Sequence, residues 1–254
     1  MSGTIDEVIA QMQRLLEPLA ASKDPRQYFH ATYLRTTLAV AAEIKRGGFI
    51  DAEWTERWDV AFARFYLDAL EATIDGGQPA RPWAIAFGAP ADMPALNHVL
   101  FGMNAHINFD LPQALLAVIT DEEFDEPAVI ARREADHRHV DRVLASRVAG
   151  EGDVLAGISG PGSRLNRLLR PLNELGTRRF LRESRQKVWA NAVVLSHARR
   201  SGHATYDSAV AQLSDLSAAK VAALQDTGQV VLKLAVTGFG VRLPTTSRAA
   251  TSHY

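Results

Sequence analysis

Asn104, His106, Asn108 and Asp110 alternate with Ala105, Ile107, Phe109 and Leu111, and Pro112 follows at once. An imidazole and a carboxylate four residues apart on a helix share one face. There the carboxylate can fix the imidazole tautomer and raise its basicity, which is what a proton-transfer centre needs. Asn104 and Asn108 share a second helical face, about 200° away, and their amides are suited to hold an oxyanion or enolate. Alternation with period two is a strand pattern, but helical runs on both sides argue against a lone strand. Pro112 removes a backbone donor and restrains Leu111 toward extended conformations. A broken central helix near residues 108–112 is therefore expected, with Asp110 near the N-cap of its second half. The competing reading is structural: Asp110 caps, His106 hydrogen-bonds in the core, and the two Asn side chains tie down the break. An unpaired buried polar group costs about 1–3 kcal/mol, so four in seven residues is a poor way to hold a kink. That weighs toward function.

Other residues can join such a centre. Tyr33 and Arg35, with Thr36 and Thr37, interrupt an otherwise apolar helix, and either side chain can orient a substrate. Trp189 and Asn191 lie on the apolar run of a long helix near His197, which reads first as a core histidine. The expected site is thus His106 and Asp110 as catalytic residues, with Asn104, Asn108, Tyr33, Arg35 and Trp189 binding substrate. A metal is the alternative. Glu134, His137 and Asp141 stand at i, i+3, i+7, and Glu-x-x-His is half of a carboxylate-bridged di-iron motif. The chain holds no second copy. His106, Asp110 and an oxygen from Glu43 or Asp59 complete a mixed N/O set suited to Zn or Fe. Residues 132–142 are polar all round, however, so an exposed salt-bridged helix is the simpler expectation there. No cofactor is expected; a divalent metal belongs to the alternative.

The run NAHINFDLP resembles an Asn-x-His-Ile-Asn-x-Asp-Leu-Pro signature, matched by Asn104, His106, Ile107, Asn108, Asp110, Leu111 and Pro112. That signature marks a bacterial, largely actinobacterial, family of helical proteins described as a domain of unknown function. FHATYLRTT (Phe29–Thr37), DVAFARFYLDAL (Asp59–Leu70), RPWAIAF (Arg81–Phe87) and VWANA (Val188–Ala192) are similar to outlying pieces of it. The likeness spans about residues 25–200. It implies a helical fold and strengthens the central run as a site, and it names no reaction.

The elements that must position these residues are helices. Ile5, Val8, Ile9, Met12, Leu15, Leu16 and Leu19 make one apolar stripe over residues 5–20. Asp24-Pro25 opens a second helix that stops at Gly47-Gly48, and Asp51 caps a third through Glu71. Four prolines make residues 78–94 a loop that crosses the surface or packs Trp83 and Phe87 inward, before a helical stretch over 92–119. Glu126-Pro127 opens a helix to Gly150. A Gly-rich bend over 150–162, short pieces near 165–169, and helices over 176–200 and 206–226 follow. Residues 227–243 read as a terminal helix, and 244–254 as a frayed tail. The expected architecture is all-α: one domain over 1–254, a bundle of seven to nine helices.

Composition bounds the chemistry. Among 254 residues there is no cysteine, which excludes disulfides, thiolate metal sites and cysteine nucleophiles. No leader-like segment and no run of about 18–20 apolar residues occurs, so the expectation is a cytoplasmic chain with no membrane span. Residues 161–200 carry ten Lys or Arg against two acids, inside a chain of net charge −1. Pairing with the acidic remainder is the expected use of that segment, and no nucleic-acid partner is expected. No phosphate loop or nucleophile elbow is present. The function that fits is a small-molecule enzyme with a His/Asp/Asn centre in an apolar pocket, of isomerase, cyclase, lyase or hydrolase type. Its substrate is a small apolar or amphipathic molecule, and a setting in secondary metabolism suits it. Non-catalytic binding of an apolar ligand is the further alternative. The sequence sets no oligomeric state.

Overall fold

The computed structural model describes residues 3–158, 163–225, 234 and 238–244, and their side chains outside 145–181. Its first helix, α1 (Ile5–Ala21), starts at a capping box in which Thr4 and Glu7 satisfy each other's backbone N–H groups. Its buried stripe is the one the periodicity marks. Helix α2 (Arg26–Lys45) begins one residue after Pro25, with Asp24 accepting from the Arg26 backbone N–H at 2.9 Å. Asp51 caps α3 (Ala52–Ile74) through the Trp54 N–H at 2.9 Å. Gly76, at φ 77°, turns the chain out of α3 in a conformation that favours glycine.

The segment expected to be a loop contains two turns of helix, α4 (Arg81–Phe87). Pro82 sits in its first turn, where proline has no intrahelical bond to lose, so it starts the helix rather than preventing one. Then comes a continuous rod: α5 (Ala95–Ala105), a π-helical turn (His106–Asp110) and α6 (Leu111–Val118). A single turn, α7 (Asp121–Phe124), leads into α8 (Pro127–Ile158), α9 (Ser163–Ser201) and α10 (His203–Gln225). The bend expected over 150–162 is helical as far as Ile158, and nothing in the described side chains accounts for helix through its glycines. Residues 159–162 lie outside the described set, as do 226–233, 235–237 and 245–254. The helix expected over 227–243 falls partly there; Leu234 is helical, and residues 238–244 form an irregular strap.

Counting the rod once, the described residues form nine helices and no strand. The fold is an all-α bundle. One apolar core joins residues from Ile5 to Leu243. The rod runs through it: α5 packs on α2, α6 on α3 and α9, and the π turn touches α3, α9 and α10. Every side chain of the π turn except Ile107 is buried. No helix among the described residues is long and apolar enough to cross a membrane.

Candidate functional site

The rod does not break at Pro112. Leu111 stays helical, and its N–H closes a five-residue turn onto the His106 carbonyl. One extra residue in the turn gives the pyrrolidine ring room that a regular α-turn denies it, at the site where proline also withholds a donor. Gln113 Nε2 donates to the Phe109 carbonyl at 2.8 Å, supplying from a side chain part of what the ladder lacks. Asp110 therefore makes no cap; its side chain is used elsewhere.

His106 Nδ1 and Asp110 Oδ2 are 2.8 Å apart, and the two side chains are 3% and 1% exposed. The same Asp110 oxygen accepts from Trp83 Nε1 at 2.8 Å. The imidazole lies flat on Phe62, with ring centres 3.6 Å apart and planes within 3°. Tyr33 meets it edge-on at 4.5 Å, and Phe29, Tyr66 and Trp83 complete an aromatic wall within 6.0 Å. Burial pulls the His106 pKa well below the usual imidazole value and pushes Asp110 well above the carboxylate range, the Trp83 bond opposing the second shift. The arrangement favours a pair that is neutral overall. With one proton between Nδ1 and Oδ2, the other imidazole proton sits on Nε2. The electrostatics thus run opposite to an ionised Asp110 raising imidazole basicity: His106 is set up as a proton donor.

Nε2 has no hydrogen-bond partner among the described residues, and the same holds for Tyr33 Oη and Asp59 Oδ2. Asp59 lies one turn before Phe62 on α3 and is 8% exposed. Burial, with Glu56 adding a like charge, raises its carboxyl to about 7. Tyr33 is held neutral by burial and by the nearby Asp59 and Asp110, while the Thr37 side chain, close to the hydroxyl but outside hydrogen-bond geometry, opposes the shift. Deeper in the bundle His30 is fully satisfied. Its Nε2 donates to the Met12 carbonyl at 2.7 Å, and Nδ1 accepts from the Tyr66 hydroxyl at 2.8 Å. Phe29 also lines a small pocket with Arg26, Phe87, His98 and Gly102.

Of the expected substrate-binding residues, only Tyr33 stands beside the pair. Asn104 and Asn108 face elsewhere. Asn104 Nδ2 donates to the Leu100 carbonyl and its oxygen accepts from Asn108. Asn108 donates to the Phe239 carbonyl at 3.1 Å and accepts from the Val241 N–H at 3.2 Å. Asn191 does the same from α9, with the Val241 carbonyl at 3.1 Å and the Leu243 N–H at 2.8 Å. Asn108 and Asn191 thus clamp the strap 238–244 against the rod and α9. Arg35 is exposed and reaches Thr32 Oγ1 at 3.3 Å. Trp189 belongs to a second cluster, donating to His137 Nδ1 at 2.9 Å.

The second cluster also changes the view of helix α8. Arg133, Asp136 and His137 are buried, so the helix is not exposed all round. Asp136 accepts from the backbone N–H groups of Ile50 and Asp51 at 2.8 and 2.9 Å, meeting the need of the chain entering α3. Arg133 pairs with Asp51 and Glu123 and lies over Trp54. Glu134 is 3.7 Å from Arg138, and Asp141 pairs with Arg185. Glu43 holds Arg46 and His139. The proposed metal face is divided among these partners. Among the described residues no three His, Asp or Glu side chains gather as a cation would require. In the basic segment, Arg185, Lys187, Arg199 and Arg200 each pair with an acidic side chain of this chain; side chains 161–181 lie outside the described set.

Sequence reasoning missed Trp83 as Asp110's second partner and gave Asp59 only a metal-ligand role. An acid on the buried face of α3, amid Trp54, Thr55, Trp58, Phe62 and Tyr66, was the available signal for Asp59. Searches of curated proteins and of solved structures return no significant match. Residues 5–227, which take in the rod and its aromatic wall, match the model of a family of unknown function, DUF5995, and the chain belongs to that family.

Proposed function

We propose that the chain is an enzyme that acts on a small apolar or amphipathic molecule by proton transfer through His106 and Asp110, in an isomerase, cyclase, lyase or hydrolase type of reaction. The observation that carries this is the unpartnered, buried Nε2 of an imidazole whose other nitrogen is locked to a carboxyl. In the step this geometry supports, Nε2 gives its proton to a substrate oxygen while the Asp110 proton passes to Nδ1. Asp110 is left as a carboxylate accepting from both His106 Nδ1–H and Trp83 Nε1–H, and the substrate carries the added proton. The rings of Phe29, Phe62, Tyr33 and Trp83 keep water away, which strengthens each of these interactions. The central run from Asn104 to Pro112 is, in this reading, the signature of the family.

A second reading, non-catalytic binding of an apolar ligand, draws support from the close aromatic packing around the imidazole. Turnover separates the two. The folded chain is assayed on a panel covering ester hydrolysis, keto–enol isomerisation and β-elimination, beside His106→Ala and Asp110→Asn. The proposal expects turnover that His106→Ala abolishes and Asp110→Asn reduces, with helix content unchanged in both. Turnover that survives both variants removes the pair from the chemistry, and a ligand returned unchanged favours binding alone.

A further inference from the structure

We infer that Tyr33, Asp59 and His106 form a three-point binding site for one oxygen atom of the ligand, a carbonyl or phenolic oxygen on an aromatic or otherwise apolar molecule, with Asp59 as a residue of that site. The inference rests on the proton-transfer reading and deepens it by naming the substrate class and two further residues.

Buried polar atoms without a hydrogen-bond partner among the described residues include Tyr33 Oη from α2, Asp59 Oδ2 from α3 and His106 Nε2 from the π turn, beside Trp54 Nε1 and Trp58 Nε1 on α3. Each belongs to a side chain less than a tenth exposed. The first three belong to one neighbourhood. Phe62 is stacked on the imidazole at 3.6 Å and meets the Tyr33 ring edge-on at 5.9 Å. Tyr33 and His106 are themselves in edge contact at 4.5 Å, and Asp59 is one turn from Phe62 on the same face of α3. Tyr33 lies within electrostatic reach of both Asp59 and Asp110. Buried polar groups in folded proteins are paired as a rule, so three exceptions in one neighbourhood point to a common partner.

The chemistry of the three atoms says what that partner offers. Tyr33 presents a neutral O–H, and His106 in a neutral dyad presents N–H. A carboxylic acid kept protonated by an apolar site donates an O–H as well, a device suited to stabilising an oxygen that gains negative charge. Asp59 is poised for it, since burial holds its carboxyl at about 7. Three donors fit an acceptor with lone pairs, a carbonyl or a phenolate oxygen, and do not fit an ammonium group. The walls are aromatic, so the remainder of the ligand is apolar or flat.

The probe is 4-nitrophenol, titrated into the full chain near pH 6 and followed by its absorption and by calorimetry. Saturable binding is expected, weakened at least about tenfold by Tyr33→Phe and by Asp59→Leu. Asp59→Asn keeps an N–H donor and is expected to retain most of the affinity, while Lys45→Ala, at an exposed residue paired with Asp6, leaves it unchanged. Tyr33→Phe removes one oxygen and keeps the ring contacts, so it carries the test alone if Asp59→Leu does not fold. No saturable binding to the folded chain overturns the inference, as does affinity within about twofold of wild type in Tyr33→Phe. Turnover lost in His106→Ala but untouched in Tyr33→Phe and Asp59→Leu also overturns it and leaves the proton-transfer reading standing. Turnover that persists in His106→Ala is the separate failure of that parent reading.

Discussion

Replacing Asp59 by Asn removes one ionisation from the core at nearly constant shape, so its effect on stability should depend on pH in a direction the structure dictates. Burial and the Glu56 charge raise the folded carboxyl from 3.8 to about 7. Between those values the unfolded chain has released this proton while the folded chain still holds it. The folded state binds more protons, so the contribution to stability falls as pH rises through the window and is level above about 7. One pH unit corresponds to about 1.4 kcal/mol, and the span from 3.8 to about 7 therefore comes to about 4 kcal/mol at most. A domain has about 5–15 kcal/mol in total, so this is a large share. His137 acts in the opposite sense. Burial, with the charges of Arg185 and Arg138, lowers it from 6.5 to about 3, so its contribution is lost as pH falls through that range. The two slopes oppose each other in the wild type, and the Asn variant uncovers the His137 slope. Urea unfolding followed by circular dichroism, from about pH 4 to 8 at fixed ionic strength, reads the difference between the two proteins. Asp59→Asn should match wild type near pH 4 and exceed it by about 2–4 kcal/mol at pH 8. A difference that does not change with pH, or one that favours wild type as pH rises, refutes the reasoning.

Asn108→Ala should cost about 2–4 kcal/mol, because its bonds to the Phe239 carbonyl and the Val241 N–H are both lost. Hydrogen exchange should quicken at Val241, and at Leu243 to the extent that the Asn191 clamp depends on its neighbour; unchanged protection at Val241 would remove the clamp from the account. Gly102→Ala should destabilise by about 1–3 kcal/mol, because a Cβ there comes within 2.4 Å of the Phe29 ring. Thermal unfolding checks this, and a melting temperature equal to wild type means that Phe29 is free to move aside.

The fold was legible where one period dominates. The α1 stripe and the Asp51 cap follow from local spacing, and so does the sharing of one face by His106 and Asp110. What escaped depends on groups far apart in the chain. Trp83 reaches Asp110 across 27 positions, and its segment reads as loop because proline is counted against helix wherever it stands. Asn104 and Asn108 have the chemistry of an oxyanion hole, yet Asn108 holds the Phe239 carbonyl 131 positions later, and no spacing announces it. Pro112 signals a defect in the rod but not its form, since a break and a widened turn answer the same missing donor. The polarity of Asp110 and Asp59 was out of reach for a related reason: it is set by burial, and burial is a property of the assembled bundle.

The central claim is a buried dyad, neutral overall, that presents His106 Nε2–H as a proton donor. Nitrogen-15 NMR of histidine-labelled protein tests it most directly, with the His106 signals assigned by their loss in His106→Ala. The account predicts that Nε2 keeps its proton from about pH 5 to 8 and that the ring does not titrate there, since burial holds its pKa well below 6.5. A bare Nε2, or a His106 titrating near 6.5 as an exposed imidazole does, contradicts it.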